Sequence, residues 1–167
     1  MRTVILLVGL FFSEFLFSQT QRSSLGLGTE YNQQDLCIYV GFSKQISSWE
    51  ISGNLGVGVN RTIFQQRLFP KIQFQGTFRG FQFNRFEIGP SFTMNYALLR
   101  VNATVNHWTH YQYYGAGYQW IYGNKFQVVQ STYFCRLMEH SWDTFEGRYT
   151  TASKWIFSIQ IGGRYAF

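Results

Sequence analysis

Residues 85–96 read Arg85-Phe86-Glu87-Ile88-Gly89-Pro90-Ser91-Phe92-Thr93-Met94-Asn95-Tyr96. Phe86, Ile88, Phe92, Met94 and Tyr96 alternate with Arg85, Glu87, Gly89, Ser91, Thr93 and Asn95. A period of two sends successive side chains to opposite faces of an extended chain, so this stretch predicts a strand with one apolar and one polar face.

The same alternation recurs on both sides of it. Leu25, Leu27, Thr29 and Tyr31 oppose Gly26, Gly28 and Glu30; Leu36, Ile38, Val40 and Phe42 oppose Cys37, Tyr39, Gly41 and Ser43. Ile51, Leu55, Val57 and Val59 oppose Glu50, Ser52, Asn54, Gly56 and Gly58; Ile72, Phe74 and Phe78 oppose Lys71, Gln73, Gln75, Thr77 and Arg79. Downstream, Tyr114, Ala116, Tyr118, Trp120 and Tyr122 oppose Tyr113, Gly115, Gly117 and Gln119. The next segment, Phe126 to Arg136, is ambiguous because Val128 and Val129 are adjacent. In the last, Trp155, Phe157, Ile159, Ile161, Tyr165 and Phe167 oppose Lys154, Ser158, Gln160, Gly162 and Arg164. Eight such segments of about ten residues fit one all-β domain, an antiparallel up-and-down barrel, and leave no room for a second domain.

Alternation alone does not say which face points inward, because a soluble barrel has the same period. Three features do. The polar face holds Glu30, Glu50, Lys71, Arg79, Arg85, Glu87 and Arg164, which cannot form a greasy core, so the apolar face must look outward into lipid. Aromatic residues recur near the segment ends, at Tyr31, Trp49, Tyr96, Trp108, Tyr122, Trp155 and Tyr165, where interfacial girdles sit. The connections also alternate, with short ones at 44–48, 80–84 and 123–125 and long ones at 60–69, 97–110 and 137–153. Short turns on one side of a membrane and long loops on the other are the transmembrane-barrel pattern, with the tight 32–34 turn as its exception.

Composition agrees. Aromatic residues make up 20 % and charged residues 13 %, and the mean hydropathy is slightly negative. A soluble domain usually carries about twice that charge, at about 25 %. The formal charge of +6 comes from basic residues scattered singly, without a basic helix or cluster, so attraction to anionic lipid explains it more simply than nucleic acid does. Cys37 and Cys135 stand far apart, and neither metal-ligand spacing nor a disulfide scaffold is visible; two free thiols are expected.

At the N-terminus, Arg2 precedes an apolar run from Val4 to Phe12, too short to span a membrane and interrupted by Ser13 and Glu14. Residues 1–18 therefore read as a secretory signal peptide cut after Ser18, leaving residues 19–167 as the barrel domain; the competing reading is an uncleaved anchor helix.

The chain ends Ile161-Gly162-Gly163-Arg164-Tyr165-Ala166-Phe167. That end resembles the alternating, Phe-terminated last strand of the small Gram-negative outer-membrane barrels of OmpA/OmpX type, and the likeness extends from Ser24 to Phe167. The resemblance implies an outer-membrane location reached through the periplasm. It also implies recognition of Tyr165 and Phe167 by the barrel-insertion machinery, and contact with outer-membrane lipid and lipopolysaccharide. It carries over no cofactor, catalytic residue or individual function.

Candidate chemistry is sparse. His107, His110, Glu139, His140, Ser141 and Asp143 fall in two long connections, and a serine hydrolase acting on lipid would need such residue types. No recognisable motif accompanies them, and the His107 to His110 spacing suits a metal poorly. The expectation is a non-enzymatic barrel with a structural, adhesive or lipid-interacting role. A lipid-modifying hydrolase and a soluble ligand-binding barrel, which would need an apolar lumen, are the alternatives. Eight strands leave a lumen just wide enough for side chains, so its charges should pair and plug it rather than line a pore. Arg61, Arg67, Arg100 and Arg148 lie in the long connections, where bidentate contact with lipopolysaccharide phosphates is expected. The Asn60-Arg61-Thr62 and Asn102-Ala103-Thr104 triplets read as chance matches to a glycosylation acceptor.

Overall fold

The computed structural model describes residues 22–33, 35–60, 68–102, 107–143 and 147–167; residues 1–18, expected as a signal peptide, lie outside them. Every regular element among the described residues is a strand: β1 (Arg22–Asn32), β2 (Asp35–Ile46), β3 (Trp49–Asn60), β4 (Leu68–Phe78), β5 (Phe81–Phe83), β6 (Phe86–Asn102), β7 (His107–Gly123), β8 (Phe126–Asp143) and β9 (Arg148–Ala166). All pairings are antiparallel, and β1 pairs with β9, so the sheet closes on itself.

β4 and β5 form one wall of this closed sheet, since both pair with β6, and the barrel has eight strands. Thr77 faces Ser91 and Phe81 faces Ile88, so residues 78–80 stand opposite only Gly89 and Pro90, which is a β-bulge. A side chain at position 89 would overlap the Phe78 carbonyl, so the bulge requires glycine there.

Registers fix the barrel's shape. From Arg22 the partners run to Gln45, Glu50, Thr77, Ser91, Gly117, Tyr133 and Ser158, and return to β1 at Asn32. The path climbs ten residues in one circuit. With strands about 4.8 Å apart and about 3.3 Å per residue, that stagger gives a tilt of about 40°, normal for a closed eight-stranded sheet.

The expected facing holds along the alternating segments. Leu27, Ile38, Leu55, Phe74, Phe92 and Ile161 point outward and are exposed, whereas Glu30, Glu50, Lys71, Gln73, Thr93 and Gln160 point inward and are buried. The soluble alternative fails on this arrangement, because an exposed band of Leu, Ile, Val and Phe surrounds a polar interior. β8 resolves its ambiguity with Gln127, Ser131, Tyr133 and Cys135 inward and Val128, Phe134 and Arg136 outward.

Aromatic pairs gather at the two ends of the outward band. Trp49–Phe78, Phe86–Trp120 and Phe126–Tyr165 lie at the end with the short turns, at centroid separations of 5.3, 6.0 and 5.0 Å. Phe134 stacks on Trp155 at 4.8 Å toward the other end. Two belts enclosing an apolar band fit the two interfaces of a bilayer.

The long connections need correction. Most of residues 97–110 and 137–153 are strand: β6, β7, β8 and β9 run 17 to 19 residues, against 11 or 12 for β1 to β4. Alternation is blurred there because apolar side chains such as Ala97, Tyr111 and Leu137 also face inward and are buried, yet backbone pairing continues to Asp143 opposite Arg148. The barrel thus has a tall half and a low half at the outer end.

Candidate functional site in the lumen and at the outer rim

Inward side chains form layers. In the outer layer, Lys71 on β4 pairs with Glu30 on β1 at 2.7 Å, both almost fully buried. The same carboxylate accepts hydrogen bonds from Tyr113 Oη at 2.5 Å, Ser158 Oγ at 2.9 Å and Gln160 Nε2 at 3.3 Å. Lys71 also donates to the Tyr113 hydroxyl and lies 4.5 Å from its ring centroid. Four partners on one carboxylate offset much of the cost of burying its charge.

Above this layer the lumen turns apolar. Phe69, Ala97, Tyr111, Leu137 and Ile156 are all buried and form one cluster with Cys37 and Cys135. Both cysteines are free, as expected from strands with β1 and β9 between them. Below, amides and hydroxyls cross the barrel: Asn54 donates to Gln73 at 2.6 Å, Gln73 to Thr93 at 3.1 Å, and Gln75 to Ser131 at 3.2 Å and to Tyr133. A cavity of about 50 Å³ remains among Ser52, Gln75, Gln119, Ser131 and Gln160, room for a few waters.

Near the short turns Glu50 bridges two arginines. Arg164 reaches its carboxylate at 2.5 and 2.9 Å, and Arg79 pairs with it from the other side. Arg79 also meets Glu87 at 3.0 Å and Gln45 at 2.8 Å; Arg164 donates to Gln127 at 2.7 Å.

Six of the seven charges named for the lumen therefore fall into two paired groups. Arg85 does not join them. It stands exposed in the turn after Asn84, whose φ is 56°, because the hairpin reverses before the alternation can send it inward. Of the four rim arginines, Arg61 and Arg67 lie outside the described residues, and Arg100 lies in β6 rather than in a loop. Arg148 is exposed at the start of β9. Tyr165 and Phe167 are exposed at the short-turn belt, 6.5 Å apart.

The histidines do not assemble a hydrolytic site among the described residues. His140 and Ser141 are consecutive in β8 and point to opposite faces. Nδ1 of His140 bonds Thr151 at 2.9 Å, Nδ1 of His110 bonds Tyr96 at 2.5 Å, and Ser141 pairs with Thr150 at 3.2 Å. No group of three or more metal-ligating side chains occurs among the described residues.

Three contributors escaped the sequence. The hydroxyls of Tyr113 and Tyr133 join charge and amide layers across the barrel, and their place among polar inward residues was the available signal. Arg136 faces outward between Tyr114 and Trp155, at the upper belt, and only the register of β8 reveals it.

Closed eight-stranded topology, an outward apolar band and two aromatic belts invite comparison with known structures. A major outer membrane protein from Thermus thermophilus superposes with a TM-score of 0.56 at 10 % identity, covering 89 % of this chain and 100 % of that one. The fold is that of the outer-membrane β-barrels. Outer membrane protein AlkL matches with a TM-score of 0.54 at 9 % identity, covering 90 % and 92 % of the two chains. Neisserial surface protein A matches at 0.52 and 8 %, covering 88 % and 96 %. No protein-family model and no curated protein matches the sequence.

Proposed function

We propose that the protein is an integral outer-membrane barrel whose lumen does not conduct and whose work is done at its outer rim, in a structural, adhesive or lipid-contacting role. The carrying observation is the doubly closed interior. Glu30, Lys71 and Tyr113 with the apolar cluster above block one end, and Glu50, Arg79 and Arg164 block the other. Neither the fold nor its likeness to other barrels selects a catalytic role, and the separation of His140 from Ser141 favours a non-enzymatic reading. In this reading, residues 1–18 direct export, and Tyr165 and Phe167 address the insertion machinery.

At the rim, Arg136 beside Trp155 and Arg148 at the tip of β9 sit where phosphates of lipopolysaccharide would lie. Planar-bilayer recording of the refolded protein tests closure: no steady conductance is expected, and sustained open channels at the level of a diffusion pore refute it. Lipopolysaccharide contact is tested by binding to detergent-solubilised lipopolysaccharide. Arg136→Ala with Arg148→Ala should weaken binding several-fold, and unchanged binding removes the lipid role.

A further inference from the structure

At the middle of the outward band almost every described side chain is apolar, as Leu27, Val40, Leu55, Phe74, Phe92 and Ile161 illustrate. One patch differs. On β8, Gln130 and Thr132 both point outward, alternating with Ser131 and Tyr133, which are buried in the lumen. Tyr118 on β7 stands directly opposite Thr132 and is 62 % exposed. Trp120 and Ile161 flank Gln130 on the neighbouring strands. Hydrocarbon offers the Gln130 amide neither a donor nor an acceptor, and polar groups at this depth are costly unless a protein partner satisfies them.

We propose that β7, β8 and β9 form an intramembrane interface for a second copy of this chain, centred on Gln130. The inference rests on the reading of the protein as a membrane-spanning barrel. An amide is self-complementary: its NH2 donates to the partner's carbonyl oxygen while its own oxygen accepts in return. Two copies in one membrane share their orientation, so a two-fold axis along the membrane normal through Gln130 brings the β7 side of one copy against the β9 side of the other.

The two sides fit. The β7 side presents the protruding Tyr118 beside the small Ala116. The β9 side presents Gly163, around which a Cβ would meet nothing within 4 Å, in an apolar groove flanked by Leu25, Leu27, Val128 and Tyr165. Strand tilt brings Tyr118 and Gly163 close to the level of Gln130, so the knob of each copy faces the groove of its partner. Reciprocal knobs around a central polar pair are what an isologous contact requires.

Proximity is tested in Cys37→Ser/Cys135→Ser protein carrying either Gln130→Cys or, on the far side of the barrel, Leu55→Cys. Copper-phenanthroline oxidation in vesicles should give a disulfide-linked dimer of the first and not of the second. Affinity is tested by energy transfer between labelled copies at varied protein-to-lipid ratio. Gln130→Leu should weaken association about tenfold, as expected for losing two intramembrane hydrogen bonds, and Tyr118→Ala should weaken it too.

A folded, heat-modifiable barrel that stays monomeric at high protein-to-lipid ratio overturns the interface and leaves the membrane reading intact. So does cross-linking of Gln130→Cys in cells to a different protein instead of itself. Failure to enter vesicles at all overturns the membrane reading beneath it.

Discussion

Replacing Glu30 by Gln tests the outer lumen layer at its centre. The substitution preserves shape and one acceptor, so Ser158 or Tyr113 keeps a partner, but it leaves the Lys71 ammonium buried without its counter-charge. Breaking a buried pair in this way costs about 3–5 kcal/mol, and the retained acceptor places Glu30→Gln near the lower end. Lys71→Met strands the carboxylate instead. Three other donors still reach that carboxylate, so about 2–3 kcal/mol is expected. The double variant removes both charges and should cost less than the sum, with a coupling of about 2 kcal/mol. Urea titration in phospholipid vesicles, followed by tryptophan fluorescence and approached from both directions, measures all four proteins. Single costs below about 1 kcal/mol that simply add would refute the layer as a coupled unit.

Glu87 is the contrasting case: when it is removed Arg79 keeps its other carboxylate partner, Glu50, so Glu87→Leu should lower stability by only about 1 kcal/mol. Gly89→Ala should destabilise the barrel by about 2 kcal/mol or more, measured by the same titration, since a Cβ there meets the Phe78 carbonyl across the bulge; an unchanged midpoint would show that the bulge can relax. Cys37 and Cys135 should resist alkylation in the folded barrel and both label after unfolding without reductant, and a mass with neither labelled would contradict free thiols. Deleting Phe167 should reduce the folded, heat-modifiable band in cell membranes while leaving refolding in detergent nearly intact, because the residue lies exposed at the outer face of the last strand; normal assembly in cells would contradict an insertion role.

Facing was legible in the sequence because lipid and lumen demand opposite side chains at alternate positions. Phe92 and Thr93, or Leu27 and Gly28, need no further information to be placed. Glu30, Lys71, Glu50 and Arg164 could be assigned to the lumen by that rule, but who meets whom could not. Pairing depends on the ten-residue stagger, which carries Lys71 of β4 across to Glu30 of β1. Alternation failed where its physical cause is missing. Arg85 lies in a turn, and toward the outer ends of β6 to β9 the inward face turns apolar, as at Ala97, Tyr111 and Leu137, so those stretches look like loop. The apolar plug was hidden because its residues break the polar pattern of the inward face: Ile156 stands between the outward Trp155 and Phe157, and Phe69 and Leu137 are likewise apolar and buried.

The lumen is closed by volume as well as by charge, and the two are linked through glycine. Narrow residues on one strand make room for wide ones reaching across or along the wall. Tyr39 lies over the space a side chain would fill at Gly28, Phe69 and Cys37 over Gly58, and Cys135 over Gly115. These glycines let aromatic rings enter an interior that eight strands leave barely wide enough for ordinary side chains. The rings in turn exclude water from the Glu30 and Lys71 layer, and so strengthen an ion pair that open solvent would screen. Enlarging a glycine in this set should therefore act on the ion pair through the displaced ring, although neither charge is touched.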